Sequence, residues 1–111
     1  MRESIKDPSR IHHIHKAIKK INDFMNGKTA ADLENESILF YAIVKNLEII
    51  GEAIYKLTIE YKNSHPEVPW SDYEKLRHVL VHGYYTINSN IVYDIVKEDL
   101  PELIEILPKE Y

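Results

Sequence analysis

Apolar residues in this chain recur at gaps that alternate between three and four. Ile11, Ile14, Ile18, Ile21 and Met25 form one such series, and Ile43, Leu47, Ile50, Ile54, Leu57 and Tyr61 form a second. A third apolar stripe, less strictly spaced, runs through Val92, Ile95, Val96, Leu100, Leu103, Ile104 and Leu107. This spacing lays each series along one side of a helix. No stretch of useful length alternates with the period of two that a strand needs. A narrow stripe must be buried against another helix, so the expected fold is all-α, an up-down bundle of four to five helices.

Local signals set the expected boundaries. Asp7 is placed to cap the first helix, Pro8 suits its first turn, and Gly27 ends it. Residues 28–35 read as a polar connection with one short turn around Ala30 to Leu33. The second long helix is expected from about Glu36 to Lys62. Gly51 in its middle costs about 1 kcal/mol relative to alanine, which points to a close helix crossing. The start of this helix is apolar on several faces (Ile38, Leu39, Phe40, Tyr41), as if it lay between two neighbours or under a second protomer. His65, Pro66 and Pro69 break the chain, and Ser71 with Glu74 reads as a capping box for a third helix running toward Gly83. A fourth begins near Ser89 or Asn90, with Pro101 predicting a kink or break near Lys97 to Leu100.

The 111 residues suit a single domain over 1–111, and the absence of cysteine excludes disulfides, thiolate metal sites and cysteine nucleophiles. The longest apolar run, Ile38 to Val44, is far short of the ~20 residues that span a bilayer, and the amino terminus carries no apolar signal segment. The expectation is a soluble, cytoplasmic protein with no membrane contact. A net charge of −4 argues against a general polyanion binder. The charge is uneven, however: residues 1–30 carry 7 Lys/Arg against 3 Asp/Glu, and residues 31–111 carry 7 against 15. The plain expectation for the basic end, which includes His12, His13 and His15, is a solvated face on the first helix.

The densest set of reactive side chains is Lys75-Leu76-Arg77-His78-Val79-Leu80-Val81-His82-Gly83-Tyr84-Tyr85. Histidine titrates near neutrality and arginine forks onto phosphate, so the pair suits phosphodiester chemistry without a metal. On one helix, though, Arg77 and His82 lie about 140° apart at about 100° per residue. Spacing alone therefore favours surface and capping roles. A site would need a second copy of the helix across a symmetry axis.

The chain resembles the HepT-like family of the HEPN superfamily over nearly its whole length. The resemblance rests on Arg77, His82 and Tyr84 in the signature Arg-x-x-x-x-His-x-Tyr, together with Asn46-Leu47-Glu48-Ile49-Ile50-Gly51-Glu52-Ala53, Pro69-Trp70 and Leu100-Pro101. It implies a HEPN helical bundle forming a homodimer or higher even oligomer, with the catalytic pair Arg77 and His82 in the dimer cleft. The implied activity is that of the toxin in a type II/VII-like toxin–antitoxin pair, a metal-independent RNA endonuclease needing no cofactor. The implied partner is a minimal nucleotidyltransferase antitoxin that silences the toxin by transferring AMP to Tyr84. His78 stands where the family often carries Asn or Asp. It either supports the site in their place, adds a second titrating group, or weakens activity.

Glu74, His78 and His82 share a helical face at four-residue spacing and suggest zinc, but two histidines without an assured third ligand are common by chance. Glu48 and Glu52 form an acid pair whose expected role is structural, and a buried Glu52 would need a cation, for which Arg77 is the candidate. The alternative function is a non-catalytic adaptor for a minimal nucleotidyltransferase, which has no need of an intact Arg77 and His82.

Overall fold

In a computed structural model, residues 6–82 and 88–109 are described, with the backbone alone at positions 75 and 78–82. The elements in order are α1 (Asp7–Met25), α2 (Ala30–Asn35), α3 (Ser37–Lys56), α4 (Ile59–Ser64), α5 (Trp70–His82), α6 (Ser89–Asp94), a π-helical turn (Ile95–Asp99) and α7 (Leu100–Ile106). No strand occurs among the described residues, and the all-helical bundle is the one the periodicity predicts. α3 is the central helix, packed along α1 on one side and α5 on the other. α2 closes against α6, and α7 returns to α1.

The stripes are the core. Ile11, Ile14, Ile21, Ile43, Leu47, Ile50 and Ile54 are all 0% exposed, each contributing about 1.5–3 kcal/mol by burial. Gly27 ends α1 with φ +74°, the left-handed geometry that glycine adopts without penalty. The short turn expected near Ala30 is α2, opened by a capping box in which Thr29 and Asp32 exchange bonds.

Three local expectations are corrected. Asp7 does not cap α1; it lies inside the first turn, 2% exposed, and supports the start of α4. Its Oδ1 accepts the Thr58 backbone N–H at 3.1 Å and its Oδ2 accepts the Thr58 hydroxyl at 2.6 Å. Thr58 in turn accepts the Tyr61 N–H at 3.2 Å, so the helix expected over Glu36 to Lys62 is interrupted at Leu57 and Thr58 and restarts as α4. The apolar period runs through the break because Leu57 and Tyr61 both still pack on the core. Finally, α5 begins at Trp70, so Ser71 falls inside its first turn, and Glu74 pairs with Lys62 rather than reaching back as part of a capping box. The Trp70 indole N–H, shared between the carbonyls of Lys62 and His65 at 3.1 and 3.0 Å, fixes that entry.

At the carboxyl end, Asn88 caps α6 by accepting the Ile91 N–H at 3.0 Å. The distortion expected from Pro101 is the π turn over Ile95–Asp99, which opens the backbone around the carbonyl of Lys97 that the proline ring would otherwise crowd.

Candidate active site at the crossing of α3 and α5

Gly51 is where α3 and α5 touch. A β-carbon built there would lie 2.9 Å from Cβ of Arg77 and 3.0 Å from its Cα, so the absence of a side chain sets how closely the helices approach. That approach sets the Arg77 side chain against the next turn of α3. Its Nε donates to Oε1 of Glu52, and its guanidinium lies over the Tyr55 ring, 4.2 Å from the centroid. The expected Glu52–Arg77 pair therefore forms, although Glu52 is partly exposed rather than buried. One edge of the fork is anchored and its plane is backed by an aromatic face. The two terminal nitrogens have no hydrogen-bond partner among the described residues.

Tyr55 is a site residue that the sequence reading missed. It lies four positions after Gly51 and three after Glu52, the helical spacing that marks the face of α3 meeting α5. That spacing was the available signal.

Arg77 lines an open groove of about 570 Å³ between α1 and α3. A neighbouring hollow of about 300 Å³ shares His13 and Ile49 with it and extends it along α1. Arg10 is partly spent within the groove, donating to the carbonyl of Lys56 at 2.7 Å, where a cation suits the carboxyl end of α3, and lying 3.7 Å from Asp7. Among the neighbouring histidines, His12 and His13 are exposed, while His15 contacts the carbonyl of Pro108 through Nε2 at 2.8 Å.

The helix α5 continues unbroken from Arg77 through His78 to His82, so positions 77 and 82 keep their separation of about 140° around one axis. The side chains of His78 and His82 lie outside the described residues, as does Tyr84. Glu74, the remaining member of the zinc reading, is engaged by Lys62.

Residues 14–110 match the family model described as ribonuclease HepT-like. The chain belongs to the HepT-like ribonuclease family. Relatives in this family include a protein of Thermococcus cleftensis named "Probable ribonuclease HepT", 33% identical over 103 residues that make up 93% of this chain and 92% of that protein. A "Putative RNase" of Caldanaerobacter subterraneus is 33% identical over 104 residues, 90% of this chain and 93% of that one. A protein of Methanocaldococcus jannaschii named "Gamma-glutamylcyclotransferase and putative RNase" is 30% identical over 99 residues, 89% of this chain. The match spans 45% of that longer relative. No solved structure matches the chain. No helix among the described residues is long and apolar enough to cross a membrane.

Proposed function

We propose that this HepT-like chain is a metal-independent RNA endonuclease, the toxin of a toxin–antitoxin pair, with Arg77 and His82 as catalytic residues in a cleft shared by two protomers. The observation that carries the reading is the anchoring of Arg77, held through Nε by Glu52 and backed by Tyr55, with its remaining donors beside an open groove. An arginine serving only as a helix-pairing cation has no need of that groove.

In the proposed reaction His82 accepts the proton of a ribose 2′-hydroxyl, and the 2′-oxygen attacks the adjacent phosphorus. The bond to the 5′-oxygen breaks. That oxygen takes a proton from water while His82 returns its own to the solvent, leaving a 5′-hydroxyl on one fragment and a 2′,3′-cyclic phosphate on the other. Arg77 stabilises the charge that builds on the non-bridging oxygens. Because positions 77 and 82 diverge around α5, the reading draws the second member of the pair from the partner protomer. His78 supports the site beside Arg77. Tyr84, two positions beyond His82, is the proposed acceptor of AMP from a nucleotidyltransferase antitoxin, which adds a bulky anion that competes with the RNA phosphate for Arg77.

The test is RNA cleavage by the purified protein in EDTA, with Arg77→Ala and His82→Ala as comparisons. Cleavage that persists in EDTA and disappears in both variants supports the reading. Cleavage retained by either variant, or abolished by the chelator in the parent protein, overturns it. For regulation, incubation with the antitoxin, ATP and magnesium should add AMP to Tyr84 by mass spectrometry, and Tyr84→Phe should abolish the adduct.

A further inference from the structure

The basic end of the chain is not spread evenly around α1. Lys6, Arg10, His13, Lys16 and Lys20 follow one another at gaps of three or four and line the groove beside α3. Lys45 and Lys56 approach from the α3 side, and Arg77 enters from α5 at the level of Gly51, between the two. The groove thus gathers half of the chain's 14 Lys/Arg residues, while only Glu48 and Glu52 of its 18 acidic residues line it. Glu52 is already neutralised by Arg77.

Lysines outside the groove are mixed in their pairing, since Lys97 and Lys109 form no ion pair with any described residue while three others do. Lys19, Lys28 and Lys62 each form an ion pair with a carboxylate. Lys16, Lys20, Lys45 and Lys56 form none with any described residue. Cations held close together without counter-charges repel one another, and an anionic ligand laid along them relieves that repulsion.

We propose that this groove is a binding track for the sugar–phosphate backbone of single-stranded RNA, with His13, Lys16 and Lys20 on one wall and Lys45 and Lys56 on the other, leading a strand to Arg77. The proposal rests on the ribonuclease reading for the identity of its ligand, and it adds a substrate-binding surface away from the reacting bond. From Lys6 to Lys20 the track is about 21 Å long at about 1.5 Å per residue, long enough for several consecutive phosphates. The axes of packed helices lie about 8–10 Å apart, so the furrow between two of them is narrower than a duplex and suits a single strand lying along it. Lysine contacts to phosphate carry no base information, so the track supplies affinity and register rather than sequence choice.

The experiment is fluorescence anisotropy with a labelled 2′-O-methyl RNA oligonucleotide, whose blocked 2′-oxygen cannot attack, titrated across a range of salt concentrations. The parent protein is compared with Lys16→Ala/Lys20→Ala, Lys45→Ala/Lys56→Ala and the charge-conserving Lys16→Arg/Lys20→Arg. Each lost phosphate contact should flatten the log–log salt dependence by about 0.7. Both alanine pairs should therefore bind several-fold more weakly at low salt with a shallower slope, and the arginine pair should bind like the parent. A duplex of the same sequence should bind worse than the single strand. Parental affinity and slope in both alanine pairs, equal binding of the duplex, or a change in assembly mass in place of a change in affinity each overturn the track. Cleavage of unmodified RNA is assayed in parallel. Absent cleavage with intact, salt-dependent binding would reject the ribonuclease reading and keep the track, whereas intact cleavage with unchanged binding in the variants would reject the track alone.

Discussion

Gly51 and Arg77 meet backbone to backbone, and the distance of 2.9 Å from a β-carbon at position 51 to Cβ of Arg77 leaves no room for one. The neighbouring atoms belong to Cβ, Cα and N of Arg77, none of which can swing aside as the end of a flexible side chain does. Any larger residue must therefore push α5 away from α3, and the groups that hold Arg77 are on α3.

Gly51→Ala tests this directly. Alanine raises helix propensity by about 1 kcal/mol, while overpacking costs about 1–3 kcal/mol. The expected net effect is a modest loss of stability by urea unfolding with a disproportionate loss of RNA cleavage, because the guanidinium is displaced from Glu52 and Tyr55. Unchanged cleavage in a folded Gly51→Ala protein would show that the crossing does not position Arg77.

Glu52 and Tyr55 should act through Arg77. Glu52→Gln weakens the anchor at Nε and Tyr55→Leu removes the ring beneath the guanidinium, so each should lower cleavage about tenfold while leaving the helical spectrum intact, in line with a displaced catalytic group. Arg77→Lys should not restore activity, since one ammonium cannot bind Glu52 and fork onto phosphate together. If Arg77→Lys matches the parent, the anchored-fork geometry is irrelevant to the reaction.

The helical architecture was legible because burial enforces a period, and Ile14, Ile43 and Ile50 declare their buried side wherever they stand in the chain. The close crossing at Gly51 and the Glu52–Arg77 pair were legible for the same reason: each is a local residue choice with few physical explanations. The interruption at Thr58 was hidden because Leu57 and Tyr61 preserve the apolar period across it, and the carboxylate that stabilises the new start comes from Asp7, 51 residues away. The groove was hidden too. Lys45 and Lys56 carry no pattern of their own, and they become part of a basic surface only when α3 packs beside α1.

Asp7 is the clearest stability determinant outside the site. Its carboxylate accepts two bonds from Thr58 while nearly fully buried. Asp7→Asn removes the charge and leaves one acceptor oxygen for the two Thr58 donors, which should cost about 1–3 kcal/mol, read as a lower urea midpoint. Thr58→Ala should cost less on its own, and the double variant should cost less than the sum of the two. Additive losses would show that the contact is not energetically coupled.

Tyr73 gives the protein a specific alkaline limit. Burial first, and then the charges of Glu102, Asp99 and Asp72, push its phenol up to about 12 from an ordinary value of 10.0. The folded state therefore resists losing this proton while the unfolded chain releases it. Stability from this residue is fully present below pH 10 and is lost as pH rises from about 10 to about 12, by roughly 1.4 kcal/mol per unit at most. Denaturant unfolding across that range should show the fall, and Tyr73→Phe should flatten it. An equally steep fall in Tyr73→Phe would assign it to other groups.

The proposed composite cleft also requires a surface that joins two protomers, and the amino-terminal half of α3 offers one. Ile38 and Tyr41 are 86% and 71% exposed there, and Phe24 of α1, 45% exposed, lies beside Ile38 along the same hollow. Large apolar side chains clustered in this way are unfavourable in water and suit an interface. Farther along α3, Lys45 and Lys56 line the basic groove, so contact at the apolar end leaves that groove open to a strand. Ile38→Asp with Tyr41→Asp places two negative charges in each copy of the patch, and a two-fold contact would set them against their counterparts. The double variant should keep its helical spectrum, run as a monomer near 13.1 kDa by light scattering where the parent runs at twice that mass or more, and lose RNA cleavage. Mixing it with Arg77→Ala protein should restore no activity. A parent protein that is itself monomeric and cleaves RNA, or a monomeric variant with full activity, would place the whole reaction within one chain.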